Sequence, residues 1–418
     1  MKLVEFLGLK RNLLLLLAAI IIIGAGEETW MRFVPKYLES LGAGAFVIGL
    51  YDAIKTLLGA VYAYPGGILA DRWGHRRALV FFNALSIAGY ALVLAAPHWG
   101  AVIGGAFLFL AWSNLSLPAT FSLVGSTLPS GKYTMGIGVQ SLIKRLPILI
   151  GPVVGGALID RYGMLGGVRI GLAVSIGLGL VTVAIQRRMD EPPAPARPPV
   201  VGLRSVVRSF DPRLRWLLFS DILIRFCERL PFAWVVIYAM DQLGASATQV
   251  GVLIAVEMAT AIACYVPVAH LADRYGREPF VIGTFVFFTL FPLALVAADR
   301  FSLLVAAFVV RGLKEFGDPA RKALLIQYAP AAARGQSIGA YYLIRDTLVS
   351  AGSFLGAALW KLGPRVNFWS AFAVGACGTV VYVATLSVGR PSGPGRAGGG
   401  PWSRYILSGL GGRPPGGC

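Results

Sequence analysis

Two groups of ionisable residues repeat at helical spacing inside otherwise apolar stretches of this 418-residue chain. The first group is Asp221, Arg225, Glu228 and Arg229, and the second is Arg311, Lys314, Glu315 and Asp318. Residues three, four, seven or eight positions apart lie on one face of an α-helix, so each group would form a stripe of mixed charge. Carboxylates and cations in such a stripe can form ion pairs, bind a charged solute or transfer a proton. Their role depends on the helices that hold them.

The composition places these stripes in a membrane. Hydrophobic residues make up 56% of the chain and charged residues only 14%, whereas soluble domains carry about 25% charged residues. A charge at the centre of an inserted helix costs about 2.5–3.5 kcal/mol, so such side chains rarely face lipid. We therefore expect the stripes to border a polar cavity between helices.

Apolar segments of about 20 residues, the length that crosses a bilayer, divide the chain into predicted spans. The twelve spans cover residues 12–37, 45–70, 77–97, 100–127, 135–160, 165–187, 214–241, 247–272, 279–298, 301–328, 336–361 and 366–388. A Pro- and Arg-rich segment separates the first six from the last six. The prediction is an all-α polytopic membrane protein with an N-terminal six-helix bundle (1–187), a cytoplasmic linker (188–213), a C-terminal six-helix bundle (214–388) and a disordered cytoplasmic tail (389–418).

The two halves repeat each other. The charged loop at 67–77 recurs at 269–278, an offset of 202 residues. The apolar segment 140–159 aligns without gaps on 341–360, an offset of 201 residues. In the second alignment two pairs of glycines coincide, namely Gly151 with Gly352 and Gly155 with Gly356. Matching offsets predict two pseudo-symmetric bundles.

Lys and Arg concentrate at one end of the predicted spans. That end holds the N-terminus, both repeated loops, the linker and the tail. Because positively charged loops stay in the cytoplasm, the sequence predicts cytoplasmic termini and a multi-pass protein of the cell membrane. The net charge of +18 would then face anionic lipid headgroups, and no nucleic-acid partner is expected.

Twelve charged residues of the predicted spans are candidates for the cavity wall or for proton coupling. They are Glu27, Glu28, Lys55, Lys144, Arg145, Arg225, Glu228, Glu257, Arg311, Glu315, Arg345 and Asp346. At least half are expected to be ion pairs that only hold helices together. A carboxyl that takes up and releases protons should lie near mid-membrane, where desolvation makes its ionised form costly. Glu257 is the first candidate because it stands alone in an apolar stretch.

The repeated loops resemble the signature of the major facilitator superfamily, G-x-L-A-D-R-x-G-R-K/R-x-x-L, found between the second and third helices. The residues of this gating motif are Gly67, Asp71, Arg72, Gly74, Arg76, Asp273, Arg274, Gly276 and Arg277. The resemblance implies the two-bundle fold of that superfamily and a cytoplasmic latch between the halves to which Asp71 and Arg72 contribute. The alternative is a helix stop with a basic anchor, which explains Arg76 and Arg77 equally well.

Span 5 resembles a second pattern, G-x8-G-x3-G-P-x2-G-G, of the proton-antiporter branch of the same superfamily. The matching residues are Gly138, Gly151, Pro152, Gly155 and Gly156. Pro147 replaces one glycine, and residues 107–128 of span 4 lack the Arg that such antiporters often use. The resemblance favours antiport, while close helix packing by small residues is the alternative reading.

The predicted function is secondary active transport of a small organic solute by alternating access, with export in exchange for protons. A proton symporter or uniporter for an anionic metabolite is an alternative, and so is a lipid or lysolipid flippase. Four aromatic residues are weaker predictions for solute contact, namely Tyr51, Trp112, Tyr341 and Tyr342.

Enzymatic chemistry is not expected. The three histidines, His75, His98 and His270, lie at span ends and far apart in sequence, so they suggest neither a nucleophile–base pair nor a metal site. The sequence also lacks the Gly-Lys-Ser/Thr phosphate-binding loop of ATP-driven pumps. We expect no cofactor, no metal, a monomeric state, and as partners only a small-molecule substrate, protons and the lipid bilayer.

Overall fold

The computed structural model describes residues 11–116, 143–190, 203–330 and 334–388. Every regular element in these ranges is helical. Most of the predicted linker, the whole predicted tail, and the segment that joins span 4 to span 5 lie outside the described residues. The described helices correspond one to one with the twelve predicted spans, and we number them α1 to α12.

The N-terminal half contains six helices, some of them interrupted. They are α1 (Arg11–Glu27, continued by Met31–Phe33 and Val34–Ser40), α2 (Ala45–Val61 and Ala63–Trp73), α3 (His75–Ala95), α4 (Trp99–Phe109, extended to Ser116), and α5 and α6, which together form Arg145–Gln186. The last two are one helix by hydrogen bonding, but Gly163 has φ 74° and kinks the chain. We therefore divide them at 145–162 and 164–186.

The C-terminal half repeats this arrangement. Its helices are α7 (Pro212–Phe232, Trp234–Ile237 and Tyr238–Gln242), α8 (Ala247–Tyr275), α9 (Glu278–Ala297), α10 (Phe301–Leu313 and Asp318–Tyr328), α11 (Arg334–Leu362) and α12 (Pro364–Val388). A short helix, Leu203–Arg208, precedes α7. The prediction of one continuous span at 301–328 was wrong in detail, because α10 breaks at residues 314–317, just before Pro319.

Length and composition agree with membrane insertion. Among the described residues, six helices are long and apolar enough to cross a membrane, and α1 becomes a seventh when its two pieces, bent by 42°, are taken together. The 42-residue run of α5 and α6 is long enough for two crossings. The other four predicted spans, α2, α7, α10 and α11, are broken into shorter pieces or carry several charges.

The neighbours of each helix recur in the two halves. In the first half, α1 packs on the α5–α6 hairpin, α3 on α4 and α6, and α2 on α4. In the second half, α7 packs on α11 and α12, α9 on α10 and α12, and α8 on α10. Between the halves, α5 packs on α8 and α2 packs on α11. Each contact thus has a counterpart six helices further on, as the sequence repeat predicts.

The aligned glycines explain the close contact of α1 with α5 and of α7 with α11. A Cβ on Gly155 would overlap the carbonyl of Thr29, and a Cβ on Gly356 would overlap the carbonyl of Leu230. Thr29 and Leu230 are themselves 201 residues apart. The absence of a side chain at these two positions lets the helix backbones touch in both halves.

Glycines also make the contact between the halves symmetric. A Cβ on Gly49 of α2 would lie 2.9 Å from the carbonyl oxygen of Ser353 on α11. A Cβ on Gly251 of α8 would overlap the carbonyl of Pro152 on α5. Gly49 and Gly251 are 202 residues apart, and Pro152 and Ser353 are 201 apart. The two halves therefore meet through equivalent surfaces.

Polar contacts fasten one end of this interface, the end where α7 turns into α8, which we call the closed end. Lys36 of α1 forms an ion pair with Asp241 of α7. Asp160 of α5 accepts hydrogen bonds from the backbone amides of Ala247 and Thr248, each at 2.9 Å, at the start of α8. A carboxylate suits this position because the first amides of a helix are unpaired and carry partial positive charge.

Candidate functional site

A cavity of about 380 Å³ lies between the two halves. Five helices contribute to its wall, three from the first half and two from the second. The lining residues are Glu27, Glu28, Met31, Arg32, Lys55, Thr56, Gly59, Leu110, Ser113, Asn114, Arg225, Glu228, Arg229, Arg345, Asp346 and Val349. Nine of its lining residues are charged. Of the two predicted stripes, the first contributes Arg225, Glu228 and Arg229, whereas no residue of the second stripe lines this cavity.

Local structure directs these side chains inward. Glu27 and Glu28 lie where α1 bends, so consecutive carboxyls both reach the cavity. On α2, Lys55 and Gly59 are one turn apart, and the glycine leaves room in the wall. Ser113 of α4 lies beside Asn114 on the same wall, and sequence analysis did not single out either residue.

Ion pairs neutralise most of the wall that the second half contributes. Arg225 Nη1 donates to Glu228 Oε2 at 2.9 Å, one turn apart on α7. Lys314 Nζ of α10 donates to the other oxygen of Glu228 at 2.8 Å. On α11, Arg345 Nε donates to Asp346 Oδ1 at 2.7 Å. Such buried pairs cost desolvation and mainly fix the relative positions of helices.

Asp221 is the centre of a second network beneath this wall. Its Oδ2 atom accepts from Arg321 Nη1 at 2.8 Å, from Tyr341 Oη at 2.9 Å and from Arg345 Nη1 at 3.2 Å. The network joins α7, α10 and α11. Sequence analysis placed Tyr341 among the weaker solute contacts, and the structure places it in this packed cluster, fully buried. Arg321 was not predicted from the sequence, because its partner Asp221 is 100 residues away along the chain.

Glu257 of α8 is not isolated, although it stands alone in its own helix. Its Oε1 atom lies 3.2 Å from Arg311 Nε and 3.2 Å from Lys314 Nζ, both on α10. The carboxylate is 5% exposed and thus buried with two cations. The partners follow it by more than fifty residues in sequence, so the apolar stretch around Glu257 gave no sign of them.

Glu27 has a different environment. Its Oε1 atom accepts a short hydrogen bond from the Tyr90 hydroxyl of α3. Tyr90 packs with Trp30 and Phe109, whose rings lie 5.2 Å apart. Within the described ranges no Lys or Arg nitrogen lies within 4.0 Å of this carboxyl, which is buried beside the cavity. Glu28, by contrast, accepts from Arg32 Nε at 2.8 Å.

Lys55 is the cation that the cavity leaves without a carboxylate in the described part of the chain. Its Nζ atom lies 5.7 Å from the centre of the Phe232 ring. Arg229 and Arg311 approach the same ring, with Cζ at 4.6 Å and 5.6 Å. Arg229 Nη1 donates to Asp52 Oδ1 at 3.2 Å across the interface. Three cations therefore converge on one ring, and Lys55 is the one with no carboxylate within ion-pair distance among the described residues.

Two further candidates lie at the start of α5. Arg145 Nη2 donates to Glu315 Oε2 of α10 at 3.0 Å and forms a pair between the halves. The Arg145 guanidinium also lies 5.4 Å from the ring centre of Tyr265 on α8. Lys144 is partly buried beside it and does not line the cavity.

The gating motif ends α2 and α8 in the same way. Gly74 has φ 84° and ψ 154°, and Gly276 has φ 95° and ψ 154°. This backbone conformation is essentially restricted to glycine. Gly74 alone connects α2 to α3, and Gly276 with Arg277 connects α8 to α9. Arg72 and Arg274 are exposed.

The predicted latch itself is not tested. The side chains of Asp71 and Asp273 and the surroundings of Gly67 lie outside the described part of the structure. Arg76 is partly buried, and Arg277 Nη1 donates to Gln327 Oε1 at 3.1 Å within the second half.

The glycines of α5 have a clear packing role. Gly151 and Gly155 face α1, Gly156 faces the start of α8, and Pro152 contacts Gly251. Gly138 lies outside the described residues. Close packing thus accounts for the described part of the pattern, and its link to antiport stays a prediction.

The predicted aromatic contacts are dispersed. Tyr51 lines a narrow pocket that shares Met31, Arg32 and Lys55 with the cavity, and its hydroxyl has no hydrogen-bond partner in the described structure. Trp112 is buried in the core of the first half. Tyr342 stacks on Arg345, with the guanidinium 4.6 Å from its ring centre. Solute contact by these residues stays a prediction.

Known proteins share this architecture. The chain is 26% identical over 392 residues to multidrug resistance protein MdtG of Citrobacter koseri. The alignment covers 90% of this chain and 94% of that protein. It is 27% identical over 393 residues to the protein of the same name from Escherichia coli (strain K12 / DH10B), with the same coverage. A solved structure of a POT family transporter bound to a thioalcohol-conjugated peptide superimposes with a TM-score of 0.76 at 14% identity, covering 90% of this chain and 96% of that one.

The family comparison covers both halves. The profile described as Major Facilitator Superfamily matches residues 16–240 and again residues 217–411. The two matches overlap at residues 217–240 and together span most of the chain. With its two bundles, its charged central cavity and this match along nearly the whole chain, the protein is a multi-pass secondary transporter that belongs to the major facilitator superfamily.

Proposed function

We propose that this transporter exports a small organic solute across the cell membrane in exchange for protons, by alternating exposure of the central cavity to the two sides. The proposal rests on the contrast between the ion-paired charges of the cavity and Glu27, a buried carboxyl whose only hydrogen-bond partner among the described residues is the Tyr90 hydroxyl. The names of the relatives, multidrug resistance proteins, support export.

Glu27 is the proposed proton carrier, in place of the earlier candidate Glu257. Arg311 and Lys314 both pair with the Glu257 carboxylate, so addition of a proton to it would leave buried positive charge uncompensated. A tyrosine hydroxyl donates to an ionised carboxylate and accepts from a protonated one, so Glu27 keeps its hydrogen bond in both states. A group that changes protonation at low cost is suited to coupling.

The orientation is part of the proposal. The Lys- and Arg-rich ends of the helices, with Arg72, Arg76 and Arg274, are assigned to the cytoplasm, with both termini. The closed end then lies on the outer face, and the cavity belongs to an inward-facing state. Export requires the contacts of Lys36 with Asp241 and of Asp160 with α8 to break when the outer end opens.

The test uses everted membrane vesicles that contain the full chain and a proton gradient reported by a pH-sensitive dye. The solutes form a matched set with one carbon skeleton, namely phenylalanine, phenylalanine amide and 3-phenylpropionate, which are zwitterionic, cationic and anionic. We expect one of them to dissipate the gradient through the wild-type protein. Glu27→Gln should abolish this response and Glu257→Gln, where it folds, should retain it. A coupled response that survives in Glu27→Gln contradicts the proposed carrier.

A second candidate function is symport of an anionic metabolite with protons, which the unpaired Lys55 favours. The same vesicles distinguish the two, because symport moves protons in the direction of the solute and antiport moves them against it. If protons move in the same direction as the solute, the protein is a symporter and the proposed exchange is wrong.

A further inference from the structure

We propose that the cavity binds a zwitterionic solute, whose acidic group pairs with Lys55 and whose protonated amine pairs with Glu27. The inference deepens the proposed function and rests on it for the direction of coupling. Its basis is that the cavity wall carries one unpaired charge of each sign, while its other described charges are satisfied within the protein.

Lys55 supplies the site for the acidic group. The other cations that line the cavity each have a carboxylate partner, at 2.8 Å for Arg32, 2.9 Å for Arg225, 3.2 Å for Arg229 and 2.7 Å for Arg345. Within the described ranges the three cations around Phe232 have two carboxylates at ion-pair distance, those of Asp52 and Glu257. An uncompensated ammonium group in a buried site attracts an anion, and a solute carboxylate is the missing partner.

Glu27 supplies the site for the amine. The charged groups that act on it most strongly are Glu28 on its own helix, Lys55 on α2 and Lys144 before α5. Within the described residues no Lys or Arg nitrogen comes within ion-pair distance of it. Its second carboxyl oxygen is thus free of the Tyr90 hydrogen bond and can accept an ammonium group.

Size and polarity of the cavity fit such a solute. Its volume of about 380 Å³ lies near the lower end of the range of ligand pockets, about 300–1,000 Å³, so a compact molecule fills it. The same cavity wall also offers hydroxyl and amide groups at Thr56, Ser113 and Asn114. A lipophilic cation would leave Lys55 unpaired and in repulsion with it, and a simple anion would leave Glu27 without its partner.

This arrangement explains exchange with protons. The Glu27 carboxylate accepts either a proton or the ammonium group of the solute, but not both. A solute that leaves toward the outer face therefore frees Glu27 for a proton, and the proton that leaves toward the cytoplasm frees Glu27 for the next solute. Because the zwitterionic solute is neutral overall, the solute-loaded cavity has the same net charge as the empty cavity with ionised Glu27.

The test measures binding of the same three compounds to the full-length protein in lipid nanodiscs by isothermal titration calorimetry. We expect phenylalanine to bind at least tenfold more tightly than either analogue. In Lys55→Gln its affinity should fall to that of phenylalanine amide, and in Glu27→Gln to that of 3-phenylpropionate. Acidic pH should weaken phenylalanine binding to the wild type and not to Glu27→Gln. Lys361→Gln, a change of the same type at an exposed position of α11, should bind like the wild type.

Three results overturn the inference, namely equal or tighter binding of either analogue, no binding of any of the three compounds, and loss of phenylalanine affinity in Lys361→Gln as large as in Lys55→Gln. The vesicle assay distinguishes failure of the zwitterion site from failure of the proposed proton-coupled export. If phenylalanine amide drives proton exchange best, the proposed binding of a zwitterion is wrong, and the proposed export in exchange for protons stands. If phenylalanine binds selectively but causes no proton movement, the proposed exchange is wrong, and the proposed binding site stands.

Discussion

At the scale of single residues, the charges in the membrane divide into those paired within the protein and those left for a ligand. Glu257, Arg311 and Lys314 belong to the first class, with nitrogen–oxygen distances of 3.2 Å. Glu27 and Lys55 belong to the second. The distinction assigns stability to one set and coupling to the other, and each role can be tested separately.

Glu257→Gln should reduce stability far more than transport. The change leaves Arg311 with no carboxylate within ion-pair distance in the described structure, and breaking a buried pair costs about 3–5 kcal/mol. The melting temperature of the purified protein should therefore fall strongly. The double variant Glu257→Gln, Arg311→Gln should recover part of it, because no unpaired charge remains. An unchanged melting temperature in the single variant would show that the pair contributes nothing.

At the scale of helices, glycines and helix termini set the distances between elements. Gly155 and Gly356 occupy equivalent positions in the two bundles and press on the backbones of α1 and α7. Asp160 holds the start of α8 against α5. The first pair fixes contacts within a half, and Asp160 fixes a contact that must open during transport.

Gly155→Ala and Gly356→Ala should each destabilise their bundle, because the added methyl group overlaps a carbonyl of the facing helix. Overpacking of this kind costs about 1–3 kcal/mol. Thermal unfolding measures it, with Gly177→Ala as the matched control, since no atom lies within 4 Å of a Cβ at that position on α6. Equal melting temperatures for Gly155→Ala and Gly177→Ala would contradict the packing role.

Asp160→Asn should shift the protein toward the state that is open at the outer end. The carboxylate accepts two amide hydrogen bonds at 2.9 Å at the start of α8, and a charge at a helix N-terminus contributes about 0.3–2 kcal/mol. Spin labels at Ser40→Cys and Gln242→Cys, in a chain with its four native cysteines replaced, report the separation of the ends by electron resonance. Asp190→Asn, an exposed acid at the other end, is the control. Identical distance distributions in the two variants would argue against the latch.

At the scale of the whole molecule, two equivalent halves meet through two equivalent contacts. Gly49 on α2 faces Ser353 on α11, and Gly251 on α8 faces Pro152 on α5. A pseudo-symmetric interface can rock without loss of packing in either bundle, because motion about the central axis leaves the contacts inside each half unchanged. The cavity lies on that interface and is therefore exposed alternately.

The orientation of this interface predicts which side reaches the cavity. Asn114→Cys should react with a membrane-impermeant thiol reagent applied from the cytoplasmic side, because Asn114 lines the cavity and the proposed orientation assigns the closed end to the outer face. Everted and right-side-out vesicles compare the two sides. Asp160→Asn should increase labelling from outside. Preferential labelling of Asn114→Cys from the outer side would reverse the assigned topology.

The sequence by itself determined the architecture. Hydrophobic length, the loops at 67–77 and 269–278, and the aligned pairs Gly151 with Gly352 and Gly155 with Gly356 predicted two related bundles, and the fold and the family are confirmed. These features could be predicted because span length, the charged loops between spans and small-residue packing depend on local sequence. The domain limits and the assigned roles of the charged residues stay predictions.

Only the tertiary structure decided how the charges are paired. A sequence shows that Glu257 is alone on α8, but not that Arg311 and Lys314 of α10 come to it through space. Nor does it show that every cation around Lys55 has a carboxylate and Lys55 has none in the described structure. Electrostatic pairing acts over a few ångströms between helices that are distant along the chain, so it is settled when the helices pack.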